Sequence, residues 1–176
     1  MSQLVSPISG KDHHIGVWPP VLTLVEYGDY QCPVCRRFAP LVKQLQQHLA
    51  GKLTFVFRHF PLQKAHPLSL QMACVAEAAS YFHRFWEMHE LLFRSDAAYS
   101  EEQIPHYAKQ LGIDEENLQK MAHATETKLK VEEQFMDGVA SSVNGIPCFF
   151  IQGYRYEGDI AFANLIHALE QSLGPA

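Results

Sequence analysis

The rhythm of apolar positions changes several times along the chain, and each change marks an element. Val21 to Tyr27 (VLTLVEY) is a run of β-forming residues bounded by Pro20 and Gly28, which predicts a strand. From Pro33 to about Leu49 the apolar positions are Val34, Phe38, Leu41, Val42, Leu45 and Leu49, one face of a helix that Gly51 ends. Pro40 falls inside this helix, where a kink is expected. Leu53 to Phe60 (LTFVFRHF) reads as a second strand. Strand, helix and strand in close succession make a βαβ unit, which implies parallel strands and a right-handed crossover.

From His66 to about Val143 the strand signals stop and helical spacing takes over. It runs through PLSLQMACVAEAASYF, RFWEMHELLFR, EQIPHYAKQLG, ENLQKMAHA and a segment around KLKVEEQFMDGVAS. Ser100 with Gln103 reads as a capping box for the third of these. Strand character returns at Pro147 to Ile151 (PCFFI), with Gln152-Gly153 as a tight turn and Tyr154 to Glu157 as the hairpin partner. Ile160 to Leu173 is a closing helix with Phe162, Leu165, Ile166 and Leu169 on its apolar face. Residues 1–20 read as an irregular arm ending in Pro19-Pro20. The predicted class is α/β, in which residues 21–65 and 144–176 form a β-α-β … β-β-α unit. Residues 66–143 form a helical domain inserted between its second and third strands.

Composition narrows the function. The 176 residues are 47% hydrophobic and 19% charged, enough for one sizeable core. A net charge of -5 with no basic run denser than Arg36-Arg37 argues against a nucleic-acid partner. No apolar stretch approaches the roughly 18 residues that span a bilayer, so no membrane segment is expected. The opening MSQLVSPISGKDHHIG has no apolar core of a signal peptide, which makes a cytoplasmic location the expectation.

Four cysteines are too few for a disulfide scaffold, yet two stand together in Cys32-Pro33-Val34-Cys35. The pair lies where the first strand ends and a helix begins. With Cys32 as N-cap, Pro33 takes the first helical position, where its missing N–H costs nothing. The Cys32 sulfur then faces the free amides and the positive end of the helix dipole, which favour thiolate. Cys35 lies one turn on, close enough for a disulfide. A thiolate beside a resolving thiol is what thiol–disulfide exchange requires. Glu26 shares a strand face with Leu22 and Leu24, so it is either a buried carboxylate behind the pair or a solvated residue near the strand end. As the former it can take the proton of Cys35. Ile146-Pro147 is a candidate cis peptide at the mouth of the third strand.

The stretches PPVLTLVEYGDYQCPVC, FVFRHFPLQKAHP, FWEMHELLF and VNGIPCFFIQG, in this order, resemble the DsbA-like thiol oxidoreductases of the thioredoxin superfamily. The resemblance covers roughly residues 12–172 and implies a thioredoxin fold carrying a helical domain. It implies Cys32 as nucleophile, Cys35 as resolving thiol and Glu26 as the buried acid. Pro147 would be a cis-proline opposite the pair, with Ile146, Pro33 and Val34 meeting the substrate. The implied substrates are protein or peptide disulfides and dithiols, served by a redox partner that resets the pair and by no metal or organic cofactor. Three departures argue against strong disulfide-forming activity. Val34 stands where DsbA has a histidine, Ile146 where close relatives often have threonine, and the secreted members' signal peptide is not seen.

Other signals are weaker. Cys74 and Cys148 sit in apolar surroundings and read as packed thiols. His89-Glu90 opens like a zinc-protease motif, but Phe93 stands where the second histidine belongs. His13-His14 lack the spacing of a zinc pair. Phe85, Trp86, Leu91, Leu92 and Phe93 read as core, and Glu101-Glu102, Glu115-Glu116 and Glu132-Glu133 as solvated helix faces or helix starts. Two rivals share the fold: a binding or chaperone module, and a glutathione-linked transferase.

Overall fold

Two strands that bury both their faces set the architecture of this computed structural model, which describes residues 2–94 and 100–173. β2 (Leu22–Gly28) and β3 (Leu53–His59) pair in parallel, with Leu24 opposite Phe55 and Glu26 opposite Phe57. Every residue of both is buried, which explains why they read as continuous apolar runs and not as alternation. The helix α1 (Pro33–His48) joins them. β4 (Cys148–Ile151) lies antiparallel on the other side of β2 and is followed by β5 (Tyr154–Arg155). Their hairpin turns at Gln152 (φ 49°) and Gly153 (φ 80°), the left-handed pair that matches strand twist.

The arm before β2 is not irregular. His13–Gly16 forms a strand, β1, antiparallel to β3, and completes the sheet order β1-β3-β2-β4-β5. Two histidines and a glycine hide its β character, because tertiary anchors hold it. His13 stacks on Phe85 at 3.5 Å, and Trp86 Nε1 donates to the His14 carbonyl at 3.1 Å. Upstream, the buried Arg58 guanidinium pairs with Asp12 at 2.8 Å and Asp137 at 2.7 Å and donates to the Ser6 carbonyl at 3.0 Å.

The insertion holds α2 (Ser69–Ser80), α3 (Phe85–Arg94), α4 (Ile104–Leu111), α5 (Glu115–Ala122) and α6 (Thr125–Ala140). α2 is buried almost all round, and its alanines at 73, 76, 78 and 79 let the neighbouring helices approach closely. The Ser100–Gln103 capping box does not form. Residues Glu101–Gln103 make a 3₁₀ turn instead, the Gln103 amide donates to the Ser100 carbonyl, and the Gln103 side chain accepts from Tyr107. The true side-chain cap in this region is Asp114, which accepts from the Asn117 amide at 3.0 Å and starts α5 at Glu115. The Glu101 side chain, Met1 and residues 174–176 lie outside the described residues. The closing helix, α7, runs Phe162–Gln171, later than expected because Ala161 is its cap.

Period two along β2 divides the core. Leu22, Leu24 and the Glu26 face pack with α1, α7 and the helical lobe, in one cluster that contains Tyr30, Cys35, Phe38, Met88 and Leu169. Val25 and Tyr27 face the other way, onto Phe60, Val143 and Phe150. There α6 comes close because it carries Gly138, where a Cβ would stand 2.7 Å from the Phe60 ring.

Candidate active site

The site lies at the junction of β2 and α1. Cys32 is the N-cap of α1, extended at φ -70° and ψ 120°, and Pro33 follows it in the first turn. The Cys35 amide donates to the Cys32 sulfur at 3.4 Å. A sulfur so placed is held by the helix terminus in its ionised form. The Cys35 thiol bonds to it, the Cys35 and Val34 amides add to the effect, and the Cys32 pKa falls from 9.0 to about 6 against the opposing pull of burial and of Asp29. Cys35 is fully buried. Burial, the neighbouring Cys32 and Glu26 push its thiol far up, so it stays protonated while Cys32 ionises.

Glu26 is buried, 2% exposed, between Phe57 on β3 and Phe149 on β4. This closes the alternative of a solvated glutamate: strands on both sides of β2 seal it. Burial and the Cys32 charge raise its carboxyl well above the usual range, and its Oε1 has no protein hydrogen-bond partner among the described residues. Gly28 keeps room beside it, since a Cβ there would meet Glu26 Oε1 at 3.1 Å and the Phe57 ring at 2.6 Å.

Across the pair stands the segment before β4. The Ile146–Pro147 peptide bond is cis, and the Ile146 carbonyl lies 3.8 Å from the Cys32 sulfur. Ile146, Pro147 and Val34 are half-buried and Pro33 is exposed, an apolar rim around Cys32, a residue only 4% exposed. The structure thus brings Cys32, Cys35, Ile146, Pro33 and Val34 to one place, with Glu26 behind in the same buried layer.

The remaining thiols stand apart. Cys74 packs with Ala73 and Val131, Cys148 with Val25 and Phe150, and burial raises both. His89 is buried beneath the site, its Nδ1 3.1 Å from the Tyr30 hydroxyl. Among the described residues no group of three histidine, cysteine or acidic side chains is placed to hold a metal ion. Two polar residues of the site were not singled out in the sequence, Asp29 and His66, which are bonded at 2.8 Å. The only signal was that both lie in the resembling stretches, and nothing local ties them together.

A family model described as Thioredoxin matches residues 9–171. The chain belongs to the thioredoxin family. Among solved structures, this thioredoxin-family chain is similar to a thioredoxin-like oxidoreductase from Silicibacter pomeroyi, with a TM-score of 0.83 and 24% identity over 96% of this chain and 95% of that one. It is also similar to the thiol-disulfide exchange protein alpha-DsbA2 from Wolbachia pipientis, with a TM-score of 0.81 and 21% identity over 93% and 88% of the two chains. At these identities the likeness is one of fold: a thioredoxin sheet with a helical insertion. A curated relative is the Na(+)/H(+) antiporter NhaA 1 of Mycolicibacterium gilvum, 35% identical over 98% of this chain. The chain spans only 28% of that relative's length.

Proposed function

We propose that this chain is a thiol–disulfide oxidoreductase that exchanges disulfides with protein or peptide substrates through Cys32 and Cys35. The observation that carries this reading is the split between two thiols one helical turn apart, Cys32 lowered to about 6 and Cys35 pushed up by burial. In the reducing direction the Cys32 thiolate attacks a substrate disulfide. One substrate sulfur leaves as thiolate, and a mixed disulfide forms. With Cys32 tied up in the mixed disulfide its charge no longer raises Glu26, which gives its proton to solvent. The Glu26 carboxylate then takes the Cys35 proton as Cys35 attacks the Cys32 sulfur, releasing the second substrate thiolate and closing the Cys32–Cys35 disulfide. A dithiol partner supplies the two electrons and two protons that reset the pair. The oxidising direction is the same sequence reversed.

The apolar rim of Val34, Ile146 and Pro147 suits an extended substrate segment, whose backbone would meet the Ile146 peptide. Direction follows potential. The Val34 side chain offers no hydrogen bond or charge to the thiolate, which supports a reductase or redox relay, and a cytoplasmic setting is part of the proposal. The antiport named for the curated relative is no part of it, because the reading rests on the thiol pair.

The test replaces Cys35 by Ser and adds a disulfide-bearing protein. Accumulation of a Cys32 mixed disulfide supports the oxidoreductase. Continued turnover with glutathione would make the chain a transferase, and binding without any covalent adduct would make it a binding or chaperone module.

A further inference from the structure

The turn that delivers Cys32 is built on one buried carboxylate. Asp29 follows β2 and is 2% exposed. Its Oδ1 accepts from the Gln31 amide at 2.8 Å, and its backbone carbonyl accepts from the Cys32 amide at 3.1 Å. Its Oδ2 reaches across to the loop after β3, accepting from the Leu62 amide at 3.0 Å and bonding His66 Nδ1 at 2.8 Å. Gln31 strengthens the clasp, its side chain accepting from the Leu68 amide at 2.7 Å. The active-site turn is thereby fastened to the loop that leads into α2.

An uncharged acceptor such as asparagine could serve these amides. A carboxylate adds a negative charge in the turn that carries the sulfur held as thiolate by the helix terminus, and like charges oppose each other. The Asp29 charge indeed acts to raise the Cys32 thiol. Oδ2 is offset from one side by His66, whose side chain is 21% exposed and bridges the buried carboxylate to the surface.

We propose that Asp29 and His66 are a positioning pair that sets how strongly the Cys32 thiolate is favoured. Asp29 holds the turn and opposes the thiolate's charge, and His66 moderates that opposition by its bond to Oδ2. The inference rests on the oxidoreductase reading for its consequence, the poise of the couple.

The experiment uses the full chain with Asp29→Asn, His66→Ala, His66→Asn and the double variant Asp29→Asn/His66→Ala. Two readouts are taken: equilibration of the couple against glutathione buffers, and the pH midpoint of thiolate absorbance in a Cys35→Ser background. Asp29→Asn removes the opposing charge, so the reduced form gains. Its disulfide-forming equilibrium constant should fall about tenfold, which for a two-electron couple raises the potential by ~30 mV, and the thiolate midpoint should move to lower pH. His66→Ala leaves the carboxylate charge less offset and should move both readouts the opposite way, by about threefold in the equilibrium constant. His66→Asn, which keeps an N–H for Oδ2, should return toward wild type, and the double variant should match Asp29→Asn alone.

A purely structural clasp would move both single variants in the same direction or neither, and either result overturns the inference. If Asp29→Asn fails to fold, the His66 series decides: a shift in His66→Ala that His66→Asn rescues supports the pair, and no rescue overturns it. If the wild-type chain forms no reversible disulfide, the oxidoreductase reading fails. Opposite shifts of the thiolate midpoint would still establish the charge pair, and their absence would overturn it as well.

Discussion

The Cys35 amide hydrogen points at the Cys32 sulfur across 3.4 Å, so the buried thiol's own backbone stabilises the thiolate of its partner. The free Cys35 thiol acts in the same sense and favours the ionised form of the Cys32 sulfur. The two cysteines are therefore unequal before any substrate arrives, and in the proposed function this inequality orders the exchange, with Cys32 attacking and Cys35 resolving.

This inequality predicts an alkylation profile. The rate at Cys32 in the reduced protein should rise with pH around a midpoint of about 6. Cys74, raised to about 11, and Cys148, also raised, should react far more slowly at neutral pH. Cys35→Ala removes the thiol donor and should move the Cys32 midpoint upward, whereas Cys35→Ser keeps a donor and should move it less. Mass-spectrometric counting of labelled cysteines across a pH series gives all of these values. Equal labelling of the four cysteines at pH 7 would contradict the site geometry.

Val34 stands between the two thiols and is half-buried at the rim. Val34→His places an N–H donor and a partial positive charge near the Cys32 sulfur, which stabilises the reduced form. The couple should become more oxidising by on the order of 30 mV or more, a tenfold change in its equilibrium with glutathione. Redox titration of both proteins in the same buffers measures the difference. An unchanged potential would show that the side chain at position 34 points away from the thiolate.

The arm and the helical lobe meet at Arg58, whose side chain is 4% exposed and pairs with Asp12 and Asp137. Arg58→Met fills the space but leaves two largely buried carboxylates without their cation. Removing one partner of a buried pair costs about 3–5 kcal/mol. Urea denaturation should show a loss of that order, and limited proteolysis should cut first near Ser6 and Pro7, whose carbonyls the guanidinium also holds. A stable variant with a protected arm would mean that β1 alone anchors this segment.

What could be read from the sequence was what local rules decide. The positions of Cys32, Pro33 and Cys35 follow from N-cap chemistry, and the burial of β2 and β3 follows from unbroken apolar runs. Glu26 stayed ambiguous because period two shows which face it is on but not how deep it lies. Its neighbours Phe57 and Phe149 belong to strands far away in sequence. Asp29 and His66 are 37 positions apart, and no periodicity links a turn residue to a loop residue. β1 was missed for the same reason, since His13-His14-Ile15-Gly16 becomes a strand only when Phe85, Trp86 and β3 are beside it.

Among the described residues, the buried glutamates Glu26 and Glu77 should respond to pH in opposite directions. Burial, then the Cys32 charge, raises the Glu26 carboxyl well above 4.5. Above that pH the unfolded chain ionises while the folded one keeps its proton, so the unfolded state binds fewer protons and stability falls as pH rises through the window. Glu26→Gln removes the penalty and should stabilise the protein at pH 7 by about 1–3 kcal/mol. The gain should vanish below pH 4.5 and be larger in the reduced protein, where Cys32 is charged; the same variant should slow resolution of the mixed disulfide. At Glu77 burial also pushes upward, but His13 at 2.8 Å and His59 at 3.2 Å outweigh it and hold the carboxyl well below 4.5, with Lys130 at 2.6 Å on the other oxygen. That stabilisation is complete above the unfolded value and is lost as pH falls through the folded one. Glu77→Gln should therefore cost stability at pH 7, on the order of 3–5 kcal/mol for a broken buried pair, and less as the pH drops. Urea titrations of both variants at pH 7 and pH 4 separate the two signs, and destabilisation by Glu26→Gln at pH 7 would mean that Glu26 is ionised and partnered in the folded protein.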